Sequence, residues 1–158
     1  MLIRNFLIVL LIVATAFNTT ASQENTVKSK GSLSFQCNGE WFHADSIHAR
    51  AYALKHAGTV FINGANADNM IVNIQAEGIN GKGTFVITEK NGRAEFTINH
   101  KTYFLKGQEN YIKMVVSQVK LQGTFLLLSG TFDGLLQDKN GNKIKLAQGL
   151  FETAFITI

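Results

Sequence analysis

The sequence predicts an all-β fold: an antiparallel β-sandwich, with a β-barrel as the alternative, in a single domain of about ten strands. Three observations point there. Asn-Gly dipeptides recur at 38–39, 63–64, 80–81, 91–92 and 140–141, and Asn and Gly tolerate the positive φ that tight hairpin turns demand. Between them lie β-rich runs with period-two alternation. The chain has no proline and no long stretch of helical periodicity, so closely spaced strands and turns define a sandwich or a barrel.

The elements follow in order. Residues 1–22, "MLIRNFLIVLLIVATAFNTTAS", place Arg4 before an apolar run from Phe6 to Ala14, with small residues after it. That is the order of a secretory signal peptide. Cleavage sites stand after Ala16, Ala21 and Ser22, and the pairs Thr19/Ala21 and Thr20/Ser22 favour the later two. A spanning helix needs about 20 apolar residues, and Thr15, Asn18, Thr19 and Thr20 end this run sooner. The expectation is a secreted or periplasmic protein with no transmembrane segment after signal cleavage. Residues 23–31 read as a short flexible lead, and residues 32–158 as the all-β domain.

The strands expected in that domain are Ser32 to Cys37, Thr59 to Ile62, Met70 to Ala76, Thr84 to Thr88, Ala94 to Ile98, Thr102 to Leu105, Tyr111 to Ser117, Thr124 to Leu136, Lys143 to Ala147 and Leu150 to Ile158. Ser46 to Gly58 is rich in alanine. As a strand it puts Ile47, Ala49, Ala51 and Ala53 on one face and His48, Arg50, Tyr52 and Leu54 on the other. A helix there would lack a defined apolar stripe, so a strand is expected. Gly83 to Ile98 and Gly130 to Leu146 both read Gly-Thr-Phe, strand, Lys-Asn-Gly, strand, which fits either two hairpins of one plan or the plain suitability of Gly, Thr and Phe for strand starts.

Charge and cysteine usage exclude several classes. The chain carries 15 basic and 11 acidic residues. The basic ones are scattered, whereas a nucleic-acid binder clusters them on one face, so no nucleic-acid partner is expected. A single cysteine forms no internal disulfide. Cys37 is in phase with Leu33 and Phe35 and is expected to face the core as a small hydrophobe.

Catalytic and metal motifs are sparse. On a strand His43 and Asp45 would share a face, with His48 nearby, but a zinc site needs three or four ligands in pattern, and His56 and His100 fall on expected turns. Asp138 opens "DKNGN" like a calcium loop, yet Gly149 stands where a bidentate Glu would close it. No nucleophile, zinc-protease or phosphate-loop motif is present. Glu77 with Glu89, and Asp133 with Glu152, are the carboxylate pairs that would have to meet in space for glycosidase chemistry. Trp41 reads as a packing residue beside a turn, with stacking on a sugar ring as the other use of its face. Catalytic residues, metal ligands and cofactors are accordingly expected to be none.

Two stretches carry a resemblance. "CNGEWFHA" resembles the Asn-Gly-x-x-Trp-x-Ala opening of a group of uncharacterised exported β-domains, many of them lipoproteins, common in Bacteroidota. "LSGTFDGLLQDKNGNKIKLAQGLFETAF" is similar to that group's ending, carried here by Gly130-Thr131-Phe132, Asn140-Gly141 and Gly149-Leu150-Phe151. Trp41 comes one residue earlier than in the fuller spacing, and there is no lipobox cysteine. The resemblance implies an all-β fold and an envelope or secreted location. It transfers no catalytic or binding residue.

The expected function is therefore a non-enzymatic exported module that binds a small molecule, a glycan or an envelope protein. A small extracytoplasmic hydrolase or a lipocalin-like carrier is the alternative. The closing stretch is expected to be scaffold, with Phe132 and Phe151 packing inward and Asp133, Asp138 and Lys143 on the surface.

Overall fold

Among the described residues, eleven strands alternate inward apolar and outward polar residues, and every ladder between them is antiparallel. The computed structural model describes residues 27–54 and 56–157, with side chains described over 31–54 and 56–153. The expected signal peptide, residues 1–22, lies outside the described residues. The strands are β1 (Val27–Cys37), β2 (Glu40–His43), β3 (Arg50–Leu54), β4 (Val60–Ala65), β5 (Ile71–Ala76), β6 (Gly83–Ile87), β7 (Gly92–Ile98), β8 (Lys101–Phe104), β9 (Tyr111–Gln122), β10 (Phe125–Gln137) and β11 (Lys143–Thr157). Among the described residues there is no helix, and so none long and apolar enough to cross a membrane.

The ladders run β2-β1-β11-β10-β3-β4-β5-β7-β8, with β9 on β10 and β6 on β9. Strand β10 is the pivot. Its start, Phe125 to Leu127, pairs with β3, while Ser129 to Gln137 pair with β11. One further pairing, Gln137 with Phe104, brings β8 back to β10. The sheet thus doubles over in a sandwich-like fold and encloses one core.

Phenylalanines join the two halves across the interior. Phe35 of β1 stacks on Phe42 of β2 at 4.6 Å and meets Phe96 of β7 edge-on at 5.1 Å. Phe132 of β10 approaches Phe35 at 5.6 Å. All four are buried, and such aromatic pairs add roughly 0.5–1.5 kcal/mol each beyond the area they bury.

Several expectations need correction. Strand β1 begins at Val27, inside the stretch read as a lead, because Val27 to Gly31 pair with Thr157 to Thr153. The two strands expected after Lys143 are one, β11, with a bulge. Asp133 of β10 faces both Ala147 and Gln148, and Gln148 takes the positive φ of 53° that the extra residue requires. Strand β2 was not anticipated. In Ser46 to Gly58 the strand covers only Arg50–Leu54, after a turn, and Ala51 and Ala53 point inward as the alternation requires.

The Asn-Gly signal proves uneven. Asn38 and Gly39 both have positive φ and join the paired strands β1 and β2. Asn63-Gly64 lies within β4, where Gly64 lets Leu33 and Ala44 come so close that a Cβ would sit 2.5 Å from Leu33 Cδ2. Asn80-Gly81 and Asn91-Gly92 flank strands that do not pair with each other: β6 lies on β9, and β7 on β5 and β8. The two hairpins of one plan are therefore not equivalent, since β10 and β11 pair while β6 and β7 do not. The turn joining β7 to β8 instead uses Asn99 and His100, with φ of 49° and 61°.

Candidate functional site

Strands β3, β4, β5 and β7 send their apolar residues inward, which leaves an outer face built from the opposite phase. Register sets its rows. Tyr52 lies beside Phe61, Phe61 beside Gln75, and Gln75 beside Arg93. The next row is Arg50, Asn63, Asn73 and Glu95.

Aromatic side chains gather at one end of this face. The rings of Tyr52 and Phe61 stack at 5.4 Å with 26° between their planes, and Phe125 meets Tyr52 edge-on at 5.6 Å. Beyond Phe61 a shallow groove of about 200 Å³ is lined by Asn63, Asn73, Gln75, Arg93 and Glu95. Among the described residues, none of these five polar side chains has a hydrogen-bond or ion-pair partner. Arg93 and Gln75 also border a second groove, of about 290 Å³, with Glu77, Glu89 and Lys90. The arrangement offers an apolar platform with amide donors, amide acceptors and both charges beside it, all on strands that hold their spacing.

The residues singled out from the sequence are placed as follows. Glu77 and Glu89 do come to one groove, where both are exposed and Glu89 Oε2 accepts a hydrogen bond from Gly107 N at 2.9 Å. Asp133 and Glu152 do not meet: Glu152 is level with Ser129, four residues along β10 from Asp133, or roughly 13 Å at strand spacing. His43, Asp45, His48, His56 and His100 are all exposed, and His48 Nδ1 lies 3.6 Å from Asp45. Among the described residues no three His, Cys, Asp or Glu are grouped to hold a metal.

Cys37 faces the core. Burial, and then the charge of Glu40 across the β1–β2 turn, push its thiol up to about 11, far from the thiolate a nucleophile needs.

Trp41 and Asp138 overturn expectation. Trp41 is 45% exposed because Phe42, paired with Phe35, takes the inward phase of β2. Its indole stacks on His43 at 5.6 Å rather than plugging the core. Asp138 is buried, and its carboxylate holds the β10–β11 turn together. Oδ1 accepts from the backbone N–H groups of Asn140 and Asn142 at 2.8 and 2.9 Å, and Oδ2 accepts from Asn142 Nδ2 at 2.8 Å. Gly141 alone has positive φ there, so the loop is not the two-residue Asn-Gly turn expected.

The outer face of β3 to β7 was missed in the sequence, although its signal is present. The outward phase includes Arg50, Tyr52, Phe61, Asn63, Asn73, Gln75, Arg93 and Glu95.

Fold and faces together define a single-domain, all-β protein with an aromatic and amide-bearing sheet surface. Comparison with known protein families, curated proteins and solved structures finds no match to this chain.

Proposed function

We propose that this chain is an exported, non-enzymatic binding module and that the outer face of β3, β4, β5 and β7 binds a glycan. The observation that carries the reading is the Tyr52–Phe61 stack set beside Asn63, Asn73, Gln75 and Arg93, whose side chains have no partner among the described residues. A sugar ring offers a flat C–H face to an aromatic ring, and its hydroxyls pair with amides, guanidinium and carboxylate. Open grooves on rigid strands suit an extended chain better than a small enclosed ligand. The interior, where a lipocalin-like carrier would hold its cargo, is filled by Phe35, Phe42, Phe96 and Phe132.

The hydrolase reading has one observation in its favour, the meeting of Glu77 and Glu89 in a groove that shares Gln75 and Arg93 with the face. Both carboxylates are exposed, whereas a general acid is normally kept protonated by an apolar setting. Binding without cleavage fits better.

Affinity electrophoresis through a panel of soluble polysaccharides tests the proposal. At least one polymer should retard the protein, and Tyr52→Ala or Phe61→Ala should abolish the retardation without unfolding the chain. Failure of every polymer, or equal retardation of the double variant, overturns the reading. Release of reducing ends that Glu77→Gln and Glu89→Gln both abolish would establish the hydrolase instead.

A further inference from the structure

Two hairpin turns face each other across a cleft that the glycan reading does not use. One is the β7–β8 turn, which leads from His100 into Lys101, Thr102 and Phe104. The other is the β10–β11 turn, which contributes Asp138, Lys139 and Asn140. The space between them measures about 500 Å³, within the usual range for small-molecule sites.

The cleft is positively charged in a form a ligand can use. Lys101 and Lys139 bring two cations, and neither has an ion-pair partner among the described residues. His100 adds ring nitrogens that are also free of such partners. Asp138 is the one carboxylate of the lining, and its oxygens already accept from Asn140 N, Asn142 N and Asn142 Nδ2. It therefore sets the shape of the turn; Lys101 is near enough for its charge to favour the Asp138 carboxylate, but no ion pair ties either lysine to it. The neighbouring Lys143 is different, being bound to Glu109.

Phe104 supplies the apolar part of the wall. It is 37% exposed and makes no ring contact with another aromatic among the described residues. Both walls are held before any ligand arrives. The Asp138 carboxylate locks one turn, and the Thr97 and Thr102 hydroxyls, 3.1 Å apart, tie the base of the other. Such preorganisation lowers the ordering cost of binding.

We propose that this cleft binds a small organic anion, its carboxylate or phosphate oxygens between Lys101 and Lys139 and its carbon skeleton against Phe104. Two lysines on separate turns suit a compact charge with several acceptor oxygens. A neutral sugar of the same size would gain no charge attraction from the two lysines.

The test is a titration of the isotope-labelled protein followed by amide chemical shifts, with sodium glucuronate, glucose 6-phosphate and glucose as probes. At least one of the two anions should shift amides of residues 99–104 and 139–142 saturably, and glucose should not. Glucuronate alone would assign a carboxylate ligand, and glucose 6-phosphate alone a phosphate one. Lys101→Ala and Lys139→Ala should each weaken the effective anion by about fivefold, the scale of one exposed charge pair, while Lys145→Ala should not. Added salt should weaken it further. Absence of saturable shifts with both anions, equal shifts with glucose, or unchanged affinity in the Lys101→Ala/Lys139→Ala double variant overturns the proposal. A failed glycan screen leaves it standing, because the shifts are read at different residues from the Tyr52–Phe61 face.

Discussion

The ring of Phe132 lies over Gly149 on the neighbouring strand, so close that a Cβ on Gly149 would sit 2.5 Å from ring carbons Cδ1 and Cε1. The arrangement is reciprocal: Phe151 lies opposite Gly130, where a Cβ would be 2.8 Å from its ring carbon Cζ. Gly130-Thr131-Phe132 and Gly149-Leu150-Phe151 thus pair antiparallel, each phenylalanine covering the other motif's glycine. Both rings are buried. Phe132→Ala and Phe151→Ala should each cost roughly 3–5 kcal/mol. Gly149→Ala should cost roughly 1–3 kcal/mol by overpacking, and combining it with Phe132→Ala should cost less than the sum. Denaturant melts of wild type and these four variants measure this, and strict additivity of Gly149→Ala and Phe132→Ala would contradict the contact.

Export gives a second prediction. Cleavage after Ala21 or Ser22 would leave β1, which starts at Val27, and its pairing with β11 intact. A full-length chain expressed in a bacterial host should be recovered outside the cytoplasm with its N-terminus at Ser22 or Gln23, as read by intact-mass spectrometry. Intact Met1-to-Ile158 in the membrane fraction would refute it.

Strand positions were legible because one face of each strand is buried, which writes an alternation into the sequence. The inward phase of β4 and β5 (Val60, Ile62, Val72, Ile74) could be read directly. Pairing could not, because it is set by contacts distant in sequence. Gly83-Thr84-Phe85 and Gly130-Thr131-Phe132 look alike, yet the first strand adds to β9 and the second forms the closing hairpin. Asn63-Gly64 has the composition of a turn, but its glycine answers to Leu33, about thirty residues away in sequence. Trp41 was misplaced because size suggests burial, and only the partnering of Phe42 with Phe35 decides which of the two faces inward. The outer face escaped for the same reason, since it exists only once β3, β4, β5 and β7 are brought side by side.

Cys37 allows a third prediction. Its thiol is pushed up to about 11 from an ordinary value near 9, so the folded state holds its proton where the unfolded state loses it. The corresponding stability is fully present below about pH 9 and is lost as pH rises through about 11. Native protein should react slowly with iodoacetamide at pH 8 and quickly once unfolded. Cys37→Ala should lose stability less steeply than wild type between pH 9 and 11, as urea melts across that range will show.

The fourth prediction uses Trp41 as the only tryptophan. Half-exposed and stacked on His43, it should be quenched by acrylamide in the native protein nearly as well as in urea. Trp41→Ala should change stability by less than about 1 kcal/mol, the range for surface positions. Phe42→Ala, one residue on, should cost roughly 3–5 kcal/mol. A reversed ranking would place Trp41 in the core.

Asp138 gives the last prediction, with its sign fixed by the turn it holds. The Asn142 side-chain amide, the backbone N–H groups of Asn142 and Asn140 and the nearby Lys101 hold its carboxyl below the ordinary value of 3.8, against the opposing effect of burial. A carboxyl lowered in the folded state stabilises that state above the ordinary value, and the contribution is lost as pH falls through the folded one. Asp138→Ala should therefore lower the melting temperature at pH 7, and its deficit against wild type should shrink as pH drops below about 3.8. Asp138→Asn should fall between them. Its amide oxygen can still accept from the N–H groups of Asn140 and Asn142, but its NH2 would face the donor Asn142 Nδ2. Lys143→Ala should change little, because its pairing with Glu109 is exposed. Melts of the four proteins at pH 7 and near pH 3 decide the matter. A deficit for Asp138→Ala that stays constant with pH would show that the turn uses the shape of Asp138 and not its charge.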